Sequence, residues 1–135
     1  MRAFIVKLEN RPGRLAEVLQ VIADRGVNLT SAGGAASGEA GGVALIADDE
    51  SGLQDALAGG GATFEEVELV GAELEDRPGT LADAARRLGD AGINITALVP
   101  TGMTGGRVSF AFGVDDADGA RRALAEMAGS AAGMA

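Results

Sequence analysis

The chain has 135 residues, a formal net charge of -9, and no cysteine or histidine, which leaves no ligands for a zinc or iron–sulfur site, no thiol nucleophile and no Ser-His-Asp triad. Its acidity, with Trp and Tyr also absent, argues against nucleic-acid and anionic-membrane partners, because phosphate binding draws on Lys and Arg and base stacking on aromatic rings. The longest early apolar run, Ala3 to Val6, is far too short to cross a bilayer, so a cytoplasmic protein is expected.

From the N-terminus, "AFIVKLE" (Ala3–Glu9) alternates, with Phe4, Val6 and Leu8 on one side, and predicts a strand. "NRPG" then marks a turn: Pro12 fixes its own φ, holds Arg11 extended, and Gly13 permits a sharp start to the next element. Leu15, Val18, Leu19 and Ile22 fall at i, i+3, i+4 and i+7, the stripe of a helix packed on a sheet. Asn10 is placed to cap or brace its start. Gly26 ends the helix, and β-prone "VNLT" follows. "SAGGAASGEAGG" reads as a mobile loop before a strand at Val43–Ala47. A short helix around Leu53–Ala58, a break at Gly59–Gly61 and an extended run from Thr63 to Glu75 complete this half.

The pattern then repeats. "ENRPGRLA" from Glu9 returns as "EDRPGTLA" from Glu75, and ten of the 22 positions from Glu9 to Thr30 are identical to those from Glu75 to Thr96. Such density in one ungapped window implies duplication. Leu69–Glu75 is the second first strand, and Leu81, Ala84, Ala85 and Leu88 keep the helical stripe. Gly92 and "INIT" follow, then "VPTGMTGG" as a second loop, a strand at Val108–Val114 and a helix around Gly119–Ala128. Only "GSAAGMA" is left for a last strand. Each half therefore reads β-α-β-β-α-β, an α+β, ferredoxin-like unit with an antiparallel sheet and helices on one face. The expected domains are 1–67 and 68–135, joined without a linker and packed rigidly.

The repeated turn has two readings. It is a device for starting a helix, or it is an anion site, since the N–H groups of Gly13, Arg14 and Leu15 lie at the positive end of a helix. Asn10 offers both an acceptor and donors beside them, so the two ends of a free amino acid fit together there. Arg11 and Arg77 read as solvent-facing residues before proline. Asp48, Asp49 and Glu50, with Asp115, Asp116 and Asp118, stand where each half's second helix begins and are assigned to its dipole, not to a metal.

Strand, "ENRPGRLAEVL" and "RGVNLT", followed by "EDRPGTLADAA" and "AGINIT", resemble the ACT domain over nearly the whole chain, in its stand-alone tandem form. The resemblance implies the βαββαβ fold and an amino acid held where two units meet. By position, Asn10 matches the polar turn residue, Gly13 and Gly79 the turn glycine, and Asn28 and Asn94 the asparagine after the helix. A ligand at Asn10 and the amides of Gly13–Leu15 would thus face Asn94, and a weaker twin would join Asp76 to Asn28. Asp76 departs from asparagine, and its carboxylate would repel a ligand carboxylate.

The expected protein is non-catalytic, with no cofactor and no metal. It binds an amino-acid effector and passes occupancy to a metabolic enzyme. The alternative is a structural regulatory subunit with a vestigial ligand site. Unprotected sheet edges suggest a homodimer.

Overall fold

The computed structural model describes residues 1–127. The chain divides into two compact units, Arg2–Glu66 and Met1 with the residues from Val67 on. In the first unit, β1 (Arg2–Glu9), α1 (Arg14–Asp24), β2 (Leu29–Ser37), β3 (Ala40–Ala47) and α2 (Glu50–Gly59) lead into β4 (Phe64–Glu75). β4 ends the first half and begins the second, which continues with α3 (Thr80–Asp90), β5 (Ile95–Thr104), β6 (Arg107–Val114) and α4 (Ala117–Ala123). A 3-10 turn, Ala125–Met127, closes the described residues, so the second helix stops short of the expected Ala128. The last strand assigned to "GSAAGMA" lies outside the described residues.

Within the first unit β3 pairs antiparallel with both β2 and β1, and within the second β6 pairs in the same way with β5 and β4. The alternation of β1 works as its pattern predicts. Phe4, Val6 and Leu8 join Val43, Leu45 and Ala47 on the face beneath the helices, where Val18, Ile22, Leu53 and Leu57 close the core. Phe64 packs on the same core, with its ring 6.0 Å from Phe4. The second core repeats this with Val70, Ala72, Leu74, Ala84, Leu88, Phe112 and Val114. Both units are therefore ferredoxin-like, with helices over one face of an antiparallel sheet.

The two glycine-rich segments are not loops. "SAGGAASGEAGG" is the body of the β2–β3 hairpin, and "VPTGMTGG" is most of β5 with its turn. Their intrinsic β-propensity is low, but pairing with an apolar neighbour (Gly34 with Val43, Ala32 with Leu45) imposes the strand, a tertiary override of local preference. The turns are two residues long, Gly38-Glu39 and Gly105-Gly106, and all three of these glycines have positive φ. Bulges at Thr30 and Thr96 repeat with the 66-residue offset; β5 has a second one at Thr101. That extra residue moves the offset to 67 for every later element.

Candidate functional site

The repeated Arg-Pro-Gly forms a type II β-turn. In the first unit the N–H of Arg14 donates to the carbonyl of Arg11 at 3.3 Å, with Pro12 and Gly13 as the central residues and Gly13 at φ 85°, ψ -12°. In the second, Thr80 donates to Arg77 at 3.5 Å and Gly79 sits at φ 94°, ψ -15°. The space around a Cβ at Gly13 or Gly79 is open. Glycine is required there by its left-handed backbone, not by a close approach of any neighbour.

Neither Asn10 nor Asp76 caps the following helix; Gly13 and Gly79 occupy the N-cap positions without a side-chain bond. Asn10 instead ties the turn to the tip of the β2–β3 hairpin. Its N–H donates to Glu39 O at 3.1 Å and its Nδ2 to Gly38 O at 2.8 Å. Asp76 repeats only the backbone half of this brace, donating its N–H to Gly106 O at 2.8 Å. A carboxylate has no donor for the second bond, so the side-chain half of the brace is made only in the first unit. In the second turn Thr80 Oγ1 donates to Glu75 O at 2.7 Å and supplies a different tie.

The arginines before proline are ion-paired. Arg11 donates to both carboxylate oxygens of Glu17, at 3.1 and 3.2 Å, and to Glu9 at 3.2 Å. Its hydrogen bonds to Glu17 and then Glu9 hold the guanidinium pKa above its ordinary value, and those from Arg11 and Arg14 hold Glu17 below the usual carboxylate range. Arg77 pairs with Glu75 at 2.7 Å and lowers that carboxyl in the same way. Of the three expected amide donors, that of Arg14 closes the turn. The Arg14 side chain lines a separate groove between α1 and α2.

The turn of the first unit borders a concavity of about 380 Å³. Its floor is Gly34, Ala36, Gly41 and Val43 of the hairpin, its walls are Leu8 and Leu15, and Asn10 and Arg11 stand at its rim. Leu15, expected in the core, is 44% exposed and overhangs this space. Asn28 and Asn94 are exposed at the far ends of α1 and α3, and eleven helical residues put about 16 Å between each of them and the turn of its own unit. The second unit has a polar recess elsewhere, beside α3, with Arg77, Arg86 and Arg107 set among Glu73, Glu75 and Asp83; only Leu74, Glu75 and Arg77 of its lining are counterparts of residues around the first concavity.

An Arg-Pro-Gly turn at the start of the first helix, twice, in two βαββ-based units points to one family. The ACT domain family matches residues 3–58 and 69–128. The chain belongs to it. No curated protein matches the chain. Among solved structures it is similar to protein BT0572 from Bacteroides thetaiotaomicron, at 24% identity and TM-score 0.74, covering 93% of this chain and 86% of that one. It is also similar to the ligand-free regulatory subunit of aspartate kinase from Thermus thermophilus, at 18% identity and TM-score 0.64, covering 93% and 90%. A third is a putative C-terminal regulatory domain of aspartate kinase from Porphyromonas gingivalis W83, at 15% identity and TM-score 0.59, covering 96% and 93%. At these identities the likeness establishes the fold.

In both ACT units one acid of each cluster caps the second helix. Asp49 accepts from the N–H of Gly52 and Asp116 from that of Gly119, each at 2.9 Å, and Asp115 accepts from the N–H of Asn94 at 3.0 Å. Sequence reasoning placed these acids at the helix starts but missed the Asp-x-x-Gly spacing that repeats at offset 67. A Cβ on Gly52 or Gly119 would collide with the capping carboxylate. No group of three or more acidic residues among the described ones is arranged to hold a metal, and no described helix is long and apolar enough to cross a membrane.

Proposed function

We propose that this ACT protein is a non-catalytic regulatory subunit that binds a free amino acid at the first Arg-Pro-Gly turn and passes occupancy to an enzyme partner. The observation that carries this reading is the concavity beside Asn10. Its 380 Å³ lies at the small end of ligand sites, which run to about 300–1,000 Å³, and it combines an apolar floor with a polar rim. With Nδ2 held by Gly38, the carbonyl Oδ1 of Asn10 is the group to accept from an ammonium. Arg11 commits three of its five N–H donors and its charge to Glu17 and Glu9 and is left out of the assignment. Asn28 and Asn94 lie a helix length from their own turns, so either would reach such a ligand only when contributed by a different unit.

The regulatory subunit and the putative C-terminal regulatory domain of aspartate kinase named above share this architecture, which supports an amino-acid-metabolising enzyme as the partner. A panel of the twenty amino acids in a thermal-shift assay tests the reading. A ligand at a hundred times its Kd adds about 2.7 kcal/mol of stability, a rise of roughly 5–11 °C for a chain of this size. A flat response across the panel would refute it. It would favour a purely structural subunit, a reading supported by the internal bonds that occupy Arg11 and half of the Asn10 amide.

A further inference from the structure

Duplication makes the second unit a control for the first, because strand register shows which residues occupy equivalent places. Leu8 pairs with Gly41 where Leu74 pairs with Val108, and Val6 pairs with Val43 where Ala72 pairs with Phe110. Across the hairpins, Gly34 faces Val43 where Pro100 faces Phe110. Opposite the first strand, the second unit therefore carries the half-buried Val108 and Phe110 where the first has Gly41 and Val43, a gain in apolar bulk that Ala72 in place of Val6 offsets only in part. The leucine at the helix start responds. Leu81, like Phe110, is half-buried against the second core, whereas Leu15, its counterpart 66 residues earlier, is 44% exposed over the concavity.

A large apolar side chain overhanging an apolar floor, with its counterpart half-buried against the core in the other half, marks the place of a missing apolar group. We infer that the concavity takes the side chain of an aliphatic amino acid, of the size of valine, leucine or isoleucine, and that the chain binds one such ligand, in its first unit only. The inference rests on the amino-acid reading above and adds to it the ligand class and the stoichiometry. A charged side chain would lose its hydration against Leu8, Leu15 and Val43 with no partner on the floor, a cost that an aliphatic one avoids. At the equivalent strand positions the second unit carries Val108 and Phe110, and its polar recess, with three arginines among carboxylates, lies at other positions.

The test is calorimetric titration of the full chain with L-valine, L-leucine and L-isoleucine, and with L-aspartate and L-lysine as charged probes. The expected result is one equivalent of an aliphatic amino acid per chain and at least tenfold weaker binding of both charged probes. Ala36→Leu fills the concavity from an exposed position on β2 and should weaken aliphatic binding at least tenfold with the unliganded Tm within a few degrees of wild type. Gly41→Val, which copies Val108, should do the same if it folds; its Cβ meets that of Ala36 at 3.1 Å, so Ala36→Leu remains the decisive variant. Two equivalents per chain, equal binding of a charged probe, or aliphatic binding indifferent to Ala36→Leu would each overturn the inference while leaving an amino-acid sensor in place. Silence toward all five probes overturns it as well. A response to some other amino acid in the thermal panel would then preserve the broader reading, and a flat panel would end both.

Discussion

Replacing Gly13 and Gly89 by alanine should move stability in opposite directions, for reasons that can be separated at each position. Gly13 is the third residue of the type II turn, at φ 85°, and a Cβ there meets nothing within 4 Å. Alanine thus makes no clash and no new contact, so the whole effect is the cost of a left-handed backbone for an L-residue, about 1–2 kcal/mol. For a chain of this length that lowers Tm by roughly 2–8 °C. Gly89 lies inside α3, also in open space, and its counterpart in α1 is Ala23. There alanine removes backbone freedom from the unfolded chain without strain, and should stabilise by about 0.5–1 kcal/mol. With no Trp or Tyr to report by fluorescence, urea titration followed by far-UV circular dichroism is the assay. Gly13→Asn should fall between wild type and Gly13→Ala, because asparagine tolerates the left-handed region better. If Gly13→Ala is as stable as wild type, the turn is not the strained device described here, and the case for glycine at position 13 collapses.

Asn10→Ala should speed hydrogen exchange at the tip of the β2–β3 hairpin and cost up to about 1 kcal/mol, whereas Asp76→Ala should leave the β5–β6 hairpin as it was; equal effects would contradict the one-sided brace. Removing either carboxylate cap, by Asp49→Ala or Asp116→Ala, should cost about 0.5–2 kcal/mol in denaturant titrations, and no loss at either would refute the Asp-x-x-Gly assignment. Glu17 titrates below its ordinary value of 4.5 because Arg11 and Arg14 hydrogen-bond its charged form. The stability it contributes is present above that pH and is lost as pH falls through the lower, folded-state value. Between pH 6 and 3 in low salt, wild type should therefore lose more Tm than Glu17→Gln, by a small margin because the pair is exposed; parallel curves would refute this.

What was legible in the sequence is what the two halves share. The alternation of Phe4, Val6 and Leu8, the stripe of Val18 and Ile22, and the helix-ending glycines at 26 and 92 each have a local cause, and the 66-residue offset wrote each of them twice. The hairpins were hidden because glycine and alanine carry little strand preference of their own. Gly34 shows what composition conceals: a Cβ there would meet the carbonyl of Gly42 at 2.9 Å, so a tight ladder, not flexibility, demands glycine. One signal was available, since Gly105-Gly106 between Thr104 and Arg107 has the form of a two-residue hairpin turn.

The candidate site was half legible. The turn itself is legible in Pro12 and Gly13, but the brace made by Asn10 is not, because its partner at Gly38 is set by a hairpin closing 28 residues away. The concavity could not be read at all from one half. It exists because Gly41 stands opposite Leu8 and Val43 opposite Val6, and that register appears only once the strands pair. Given the register, the residues that differ between the halves become informative. At the turn end of the core most of them run one way, with glycine against Val108, valine against Phe110 and an exposed Leu15 against a half-buried Leu81, and only Val6 against Ala72 runs the other. A duplicated domain that needed only its fold had no reason to leave one copy hollow at the place where the other is filled. Filling that hollow from position 36 is therefore the perturbation that separates a binding site from a packing fault. A site loses its ligand when the space closes, and a packing fault gains stability, because apolar surface that water now touches is covered.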